Sequence, residues 1–337
     1  MRLAIIGAQH GHVLGITRQL IAEDGVELVA VAEAEASVRE ETAAAFGVPG
    51  IADYRELLDG SIDAAALAPI NNEKGNVAVA CLESGVSVLL DKPAVTTLED
   101  LDRLEAAAGG SAALSCALTL RFNGPYVAAK RAIEAGEIGQ VVSSMAQRPH
   151  KCGPARRPAW FFDRELNGGA LLDLCIHDID GVRWLHGCEP VAVAAQHGAV
   201  RFTEYPTFAD HAEAWLRLED GGSAFVRASW LTPDSAPYHG DCRMFIEGTE
   251  GSIEIRTTAE SSCTIDKGGK QRKLTEFSGP TLDTPTADAP NALAQDFIAA
   301  ARGETDLAIT AADVIASHRW TLLARDAADN GTLVTGR

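Results

Sequence analysis

Asp173 and His177 lie four residues apart in the stretch Asn167 to Asp180, and Asp180 follows three residues later. Read as a helix, the stretch puts all three on one face, with Leu172, Cys175, Ile176, Ile179 and Val182 on the other. Alone, such a stripe reads first as a solvated polar face with a helical His–Asp pair. Gly168 and Gly169 just ahead would let a ligand approach the backbone closely. A second group is Asp91-Lys92-Pro93, which closes the apolar run Val86 to Leu90. Pro93 biases Lys92 toward an extended shape. A lysine held at a strand end can point its ammonium at a substrate hydroxyl or carbonyl, and there stabilise a developing alkoxide or share a proton.

A third group opens the chain. Leu3 to Ile6 reads as a buried strand, and Gly7-Ala-Gln-His-Gly-His12 carries it into a helix. This is the form of the first turn of a dinucleotide-binding sheet. Gly7 would make the tight turn, and backbone N–H groups at the helix start would hold a pyrophosphate. Gln9 and His12 stand where the G-x-G-x-x-G pattern has its second and third glycines, with Gly11 as a partial substitute. His10 lies in the same loop. Glu33 ends the second apolar strand, in the position where a carboxylate binds ribose hydroxyls and repels a 2′-phosphate, so NAD is expected rather than NADP.

The elements around these groups change character once. Up to about residue 120, short apolar strands (27–32, 63–68, 86–91, 112–118) alternate with helical segments (12–22, 37–46, 76–83, 98–108). That rhythm implies a doubly wound parallel sheet with helices on both faces. Beyond it come a helix at 126–135, a strand at 141–147 and the Asp173–His177 helix. Repeated strand signals then run from 191 to about 265, separated by Gly-rich turns. The stretch Lys267 to Asp288 reads as loop or edge hairpin, and helices at 291–301 and 311–328 end the chain. The expected fold is α/β: a dinucleotide-binding domain over 1–120, then an α+β domain over 121–337 with a large open, mainly antiparallel sheet.

Composition narrows the partners. With 47 acidic against 29 basic side chains the net charge is −18, which excludes nucleic acid as a natural partner. No apolar run is long enough to span a membrane, and no secretory leader is recognised. Seven scattered cysteines show no paired metal spacing, so reduced thiols, a cytoplasmic location and no metal are expected.

Taken together the motifs resemble the Gfo/Idh/MocA family, NAD(P)-dependent enzymes of the glucose–fructose oxidoreductase and inositol dehydrogenase type. The resemblance runs nearly end to end. It rests on the first turn, Pro69, Asp91-Lys92-Pro93, Arg121-Phe122-Asn123, the segment Ala132 to Gly139, Trp160, Gly168-Gly169 with Asp173-x-x-x-His177 and Asp180, and Gly248 to Gly251. It implies a Rossmann domain and a catalytic trio of Lys92, Asp173 and His177. His177 would act as general base for alcohol oxidation or acid for ketone reduction. Lys92 would polarise the same oxygen, and Asp173 would orient the substrate. Gly7, Gln9, His10, Gly11, His12, Glu33, Pro69 and Lys92 would meet the cofactor; Arg121, Trp160 and Asp180 would meet the substrate. Asn123, His150, Arg156, Arg157 and Asp210-His211 are weaker substrate candidates.

The expected activity is hydride transfer between NAD and a polyol, sugar or related hydroxy or keto compound, in a homodimer or homotetramer. The alternatives are a sugar-modifying enzyme that recycles tightly bound NAD, and a ligand-binding protein that keeps the fold without catalysis. Departures from the family pattern are Gln9 and His12, Cys175 in place of a glycine, and Ala68-Pro-Ile-Asn-Asn with Lys74 where a Thr-Pro-Asn and a histidine are usual.

Overall fold

A computed structural model describes residues 1–258, 261–274 and 291–336. They form two compact units: Met1–Leu118 with Asn291–His318, and the described parts of Thr119–Pro290 with Arg319–Arg337.

In the first unit, β1 (Arg2–Ala8) runs into α1 (His12–Leu20), followed by β2 (Glu27–Ala32), α2 (Ala36–Phe46), the two-residue β3 (Gly50–Ile51) and β4 (Ala64–Ala68). Next come α3 (Lys74–Glu83), β5 (Ser87–Leu90), α4 (Leu98–Ala107) and β6 (Leu114–Cys116). Sequence explains the local choices. The strands are short continuous apolar runs, and β4 and β5 are buried along their whole length, as strands covered on both faces must be. In α1, Val13, Ile16, Thr17 and Leu20 turn inward at helical spacing. Thr97 caps α4 by accepting the Asp100 N–H at 3.1 Å. All pairs are parallel, in the order β3-β2-β1-β4-β5-β6. The order reverses between β1 and β4, so the carboxyl ends of these strands are the place where a ligand crevice opens.

The second unit begins with α5 (Gly124–Glu134), β7 (Val141–Pro149) and α6 (Arg164–Asn167). A single π turn (Leu171–Cys175) then leads into α7 (Ile176–His186). The stretch read as one helix is therefore broken. Gly168 (φ +92°) stops α6, and Gly169 (φ +89°) continues the left-handed backbone that only glycine takes without strain. Nor is the Asp173–His177–Asp180 face a solvated one: Asp173 and Asp180 are buried and His177 is half-buried.

Eight strands follow in chain order: β8 (Pro190–Gly198), β9 (His211–Leu218), β10 (Ser223–Ser229), β11 (Arg243–Gly248), β12 (Ser252–Arg256), β13 (Ser262–Lys267), β14 (Lys270–Leu274) and, near the end of the chain, β15 (Val334–Thr335). With β7 they make a nine-stranded sheet in the order β14-β13-β12-β11-β7-β10-β9-β8-β15. Only β7 and β10 pair in parallel; the rest is antiparallel. Burial alternates along β9 and β10, so one face is covered and the other is open. On the open face the register aligns Trp215, Phe225, Met145 and Phe245 across four strands. At one margin, β14 presents Lys270, Gln271, Arg272 and Lys273, all exposed. Of the stretch expected as loop or edge hairpin, the β13–β14 hairpin is described, and 275–288 lies outside the described residues. Between β14 and β15, α8 (Ala292–Ala301) and the first residues of α9 (Ala311–Asn330) belong to the first unit.

Candidate functional site

In the first unit the turn after β1 is fixed by sterics and by one carboxylate. Gly7 has φ +75°, and a Cβ there would lie 2.2 Å from the Pro69 nitrogen, so no side chain fits. The Gln9 N–H donates to the Ala68 carbonyl at 2.9 Å, which ties the turn to the end of β4. Glu33 is buried and accepts from the Ala8 N–H (2.8 Å), the Gln9 side-chain amide (3.0 Å) and the Glu35 N–H (3.0 Å). Gln9, standing in place of a glycine, thus reaches across to the acid expected to hold a ribose. Arg39 donates to the carbonyls of Glu33 (2.8 Å) and Ala34 (3.1 Å), beside the same corner. The N–H groups of His10, Gly11 and His12, at the start of α1, hydrogen-bond to no other described residue. A tight turn, orphan amides at a helix start and a carboxylate at the end of β2 together fit a dinucleotide.

The end of β5 carries the second group. The Asp91 N–H continues the sheet by donating to the Leu67 carbonyl at 2.9 Å. Its carboxylate is fully buried, with His10 Nδ1 at 3.1 Å, His12 Nδ1 at 3.2 Å and Lys74 Nζ at 3.6 Å. Burial opposes the ionisation of Asp91, but the charge of Lys74, with the two histidines, outweighs it and holds the carboxyl well below the usual range. Burial pushes His10 down to about 4 in spite of Asp91. Lys74, itself fully buried, donates to the Lys92 carbonyl at 3.1 Å. Lys92 is 5% exposed and joins Pro93 through a cis peptide. The next residue is anchored from α9: the Ala94 N–H donates to His318 Nε2 at 2.8 Å, and His318 Nδ1 donates to the Val314 carbonyl at 2.7 Å. Sequence reasoning missed His318, because a lone histidine within an ordinary helical pattern gives no signal. The structure thus brings Gly7, Gln9, His10, Gly11, His12, Glu33, Pro69 and Lys92 to the carboxyl edge of one sheet.

In the second unit, Asp173 lies in the π turn and His177 in the first turn of α7. The Asp173 N–H donates to the Gly169 carbonyl at 3.0 Å, so the double glycine is the platform on which the turn starts. Asp173 is buried and His177 half-buried. A π turn changes the angular step along a helix and often marks a functional position. Below it, two arginine–aspartate forks hold α7. Arg121 donates to both oxygens of Asp180 at 3.0 and 2.8 Å, and Arg148 of β7 to both oxygens of Asp178 at 2.8 Å. Arg183 also lies 3.6 Å from Asp180. Arg121 and Asp180, both expected to meet substrate, are therefore engaged with each other. Trp160 is buried against Phe161, and its indole N–H has no hydrogen bond among the described residues.

Residues 1–115 match the family model described as "Oxidoreductase family, NAD-binding Rossmann fold", and residues 126–254 match the Gfo/Idh/MocA C-terminal domain. The chain is 29% identical over 247 residues to scyllo-inositol 2-dehydrogenase (NAD(+)) of Bacillus subtilis strain 168, covering 72% of this chain and 69% of that one. A solved chain from Erwinia carotovora atroseptica, assigned as an oxidoreductase, is 30% identical with a TM-score of 0.87, over 97% of this chain and 98% of that one. Levoglucosan dehydrogenase, solved with NADH and L-sorbose, shares the fold at a TM-score of 0.83 and 22% identity, over 99% and 98% of the two chains.

Proposed function

Because this chain belongs to the Gfo/Idh/MocA family of oxidoreductases, we propose that it transfers a hydride between NAD and a carbinol carbon of a polyol or sugar. The observation that carries the cofactor half is the β1–α1 turn, with its sterically closed Gly7, its orphan amides and the buried Glu33. Glu33 supports NAD over NADP, since a 2′-phosphate beside a buried carboxylate is repelled. The nicotinamide, when bound, supplies the hydride acceptor or donor.

The chain's own residues handle the proton and the oxygen. We assign His177 to take the hydroxyl proton during oxidation and return it during reduction. Lys92 offers its ammonium to the same oxygen, and Asp173 orients the substrate by hydrogen bonding. Trp160 offers an indole N–H to a substrate hydroxyl. Arg121 and Asp180 act on the substrate indirectly, by holding α7 in place through their fork.

The test is an absorbance assay with NAD⁺ over inositols, sugars, sugar acids and amino sugars. Turnover on one of them is expected, and Lys92→Ala and His177→Ala should each lose about 10²–10⁴-fold in kcat. A folded protein that binds neither NAD(H) nor NADP(H) would overturn the proposal. The row of exposed Trp215, Met145 and Phe245 with half-buried Phe225 supports a second copy of the chain as partner, giving a homodimer or homotetramer. Seven cysteines in no disulfide, six of them buried, support a reducing compartment such as the cytoplasm.

A further inference from the structure

The loop after β1 and the end of β5 bring together three side chains of metal-ligating type. We propose that His10, His12 and Asp91 bind one divalent first-row transition ion of the zinc class. Their ligand atoms all lie within 4.8 Å of one another. The two rings stand edge to face, with centroids 4.1 Å apart, so both Nδ1 atoms converge on one carboxylate. The nitrogen–oxygen separations are 3.1 Å for His10 and 3.2 Å for His12. Around an ion with ligands at about 2.0–2.1 Å, neighbouring tetrahedral ligand atoms stand about 3.3 Å apart. Both histidine–carboxylate separations are thus within a few tenths of an ångström of that spacing.

A second observation comes from direction rather than distance. His10 Nδ1 and Asp91 Oδ2 are buried and close, yet among the described residues neither makes a well-directed hydrogen bond. The ring nitrogen is therefore misaligned with its neighbour, and an ion lying between the two nitrogens and the carboxylate would satisfy both. Lys74, 3.6 Å from Asp91 Oδ2, already balances the carboxylate charge. The ion would then sit on the imidazole side, away from the ammonium. Two imidazoles and one carboxylate suit zinc, cobalt or nickel better than calcium or magnesium. The His12 side chain is 55% exposed, which leaves an open side for water to complete the sphere.

The inference stands apart from the redox reading, because the metal is measured without dinucleotide. Cobalt(II) chloride is titrated into the full chain at neutral pH and followed by visible absorption, with zinc(II) as displacing ion. One equivalent should bind and be displaced by zinc. The double variant His10→Ala/His12→Ala, checked for folding by circular dichroism, should lose about 10-fold or more in affinity. If the double variant does not fold, the single variant His12→Ala, at a half-exposed position, should show the same loss. No saturable binding by the wild type, or undiminished binding by the variants, overturns the proposal.

Discussion

Glu33 is one side chain with four duties. It follows β2, closes the first turn through the Ala8 N–H, engages Gln9, and is the group proposed above to face the ribose. Because Arg39 stands beside it, removing that charge should invite a phosphate. Glu33→Gln is expected to lower the ratio of kcat/KM for NAD over NADP by about 10-fold, which is about 1.4 kcal/mol. An unchanged ratio, measured with both cofactors, would remove Glu33 as the discriminator. Glu33 and Lys92 were legible in the sequence because each stands where an apolar run stops, and strand ends are where a parallel sheet keeps its polar groups. The His12–Asp91 contact was not, since 79 positions separate the two and neither lies in a pattern that names the other. For Asp180 the partner was hidden for a related reason. Helical spacing places it on a face but cannot say that Arg121 waits there.

At the scale of elements, turns hold the second unit together more than propensity does. Asp210, fully buried just before β9, accepts the N–H groups of Val200, Arg201 and Phe202 at 2.7–3.0 Å through one oxygen. Burial opposes its ionisation, but these bonds and the His211 ring outweigh it and hold the carboxyl below its usual range. A carboxyl lowered on folding adds stability that is complete above its unfolded pKa, about 3.9, and is lost as pH falls through the folded value. Asp210→Ala should therefore cost about 1–3 kcal/mol at pH 7, because buried amides lose their acceptor. The loss should shrink as the pH is taken below 4. Urea melts at pH 7 and in acid check both; equal losses at the two would show that the charge plays no part. The sequence marked strands, turns and most helix ends here, because alternation and glycine carry them. It did not mark the π turn, whose residues look like any helical run.

At the scale of the whole molecule there are two sheets, and among the described residues the second leaves a face open. Its aligned row of Trp215, Phe225, Met145 and Phe245 is the broad apolar feature of that face. Light scattering should find a dimer or tetramer, and Met145→Asp or Trp215→Glu should shift it toward monomer without loss of folding. A monomeric wild type would end that assignment. The large architecture was legible because a switch from βα alternation to period-two strands is a pattern of many residues, robust to any single misreading.

The margin of that sheet has a different consequence, for how the protein survives its own synthesis. A chain that makes a nine-stranded sheet offers, while incomplete, a ladder of amides to any neighbour in the same condition. β14 carries Lys270, Arg272 and Lys273 along this rim, although the molecule as a whole is acidic. Two nascent copies that meet rim to rim therefore meet like charge against like charge. If the basic residues of β14 guard against polymerisation, making that strand neutral is expected to show first as inclusion bodies rather than as lost activity.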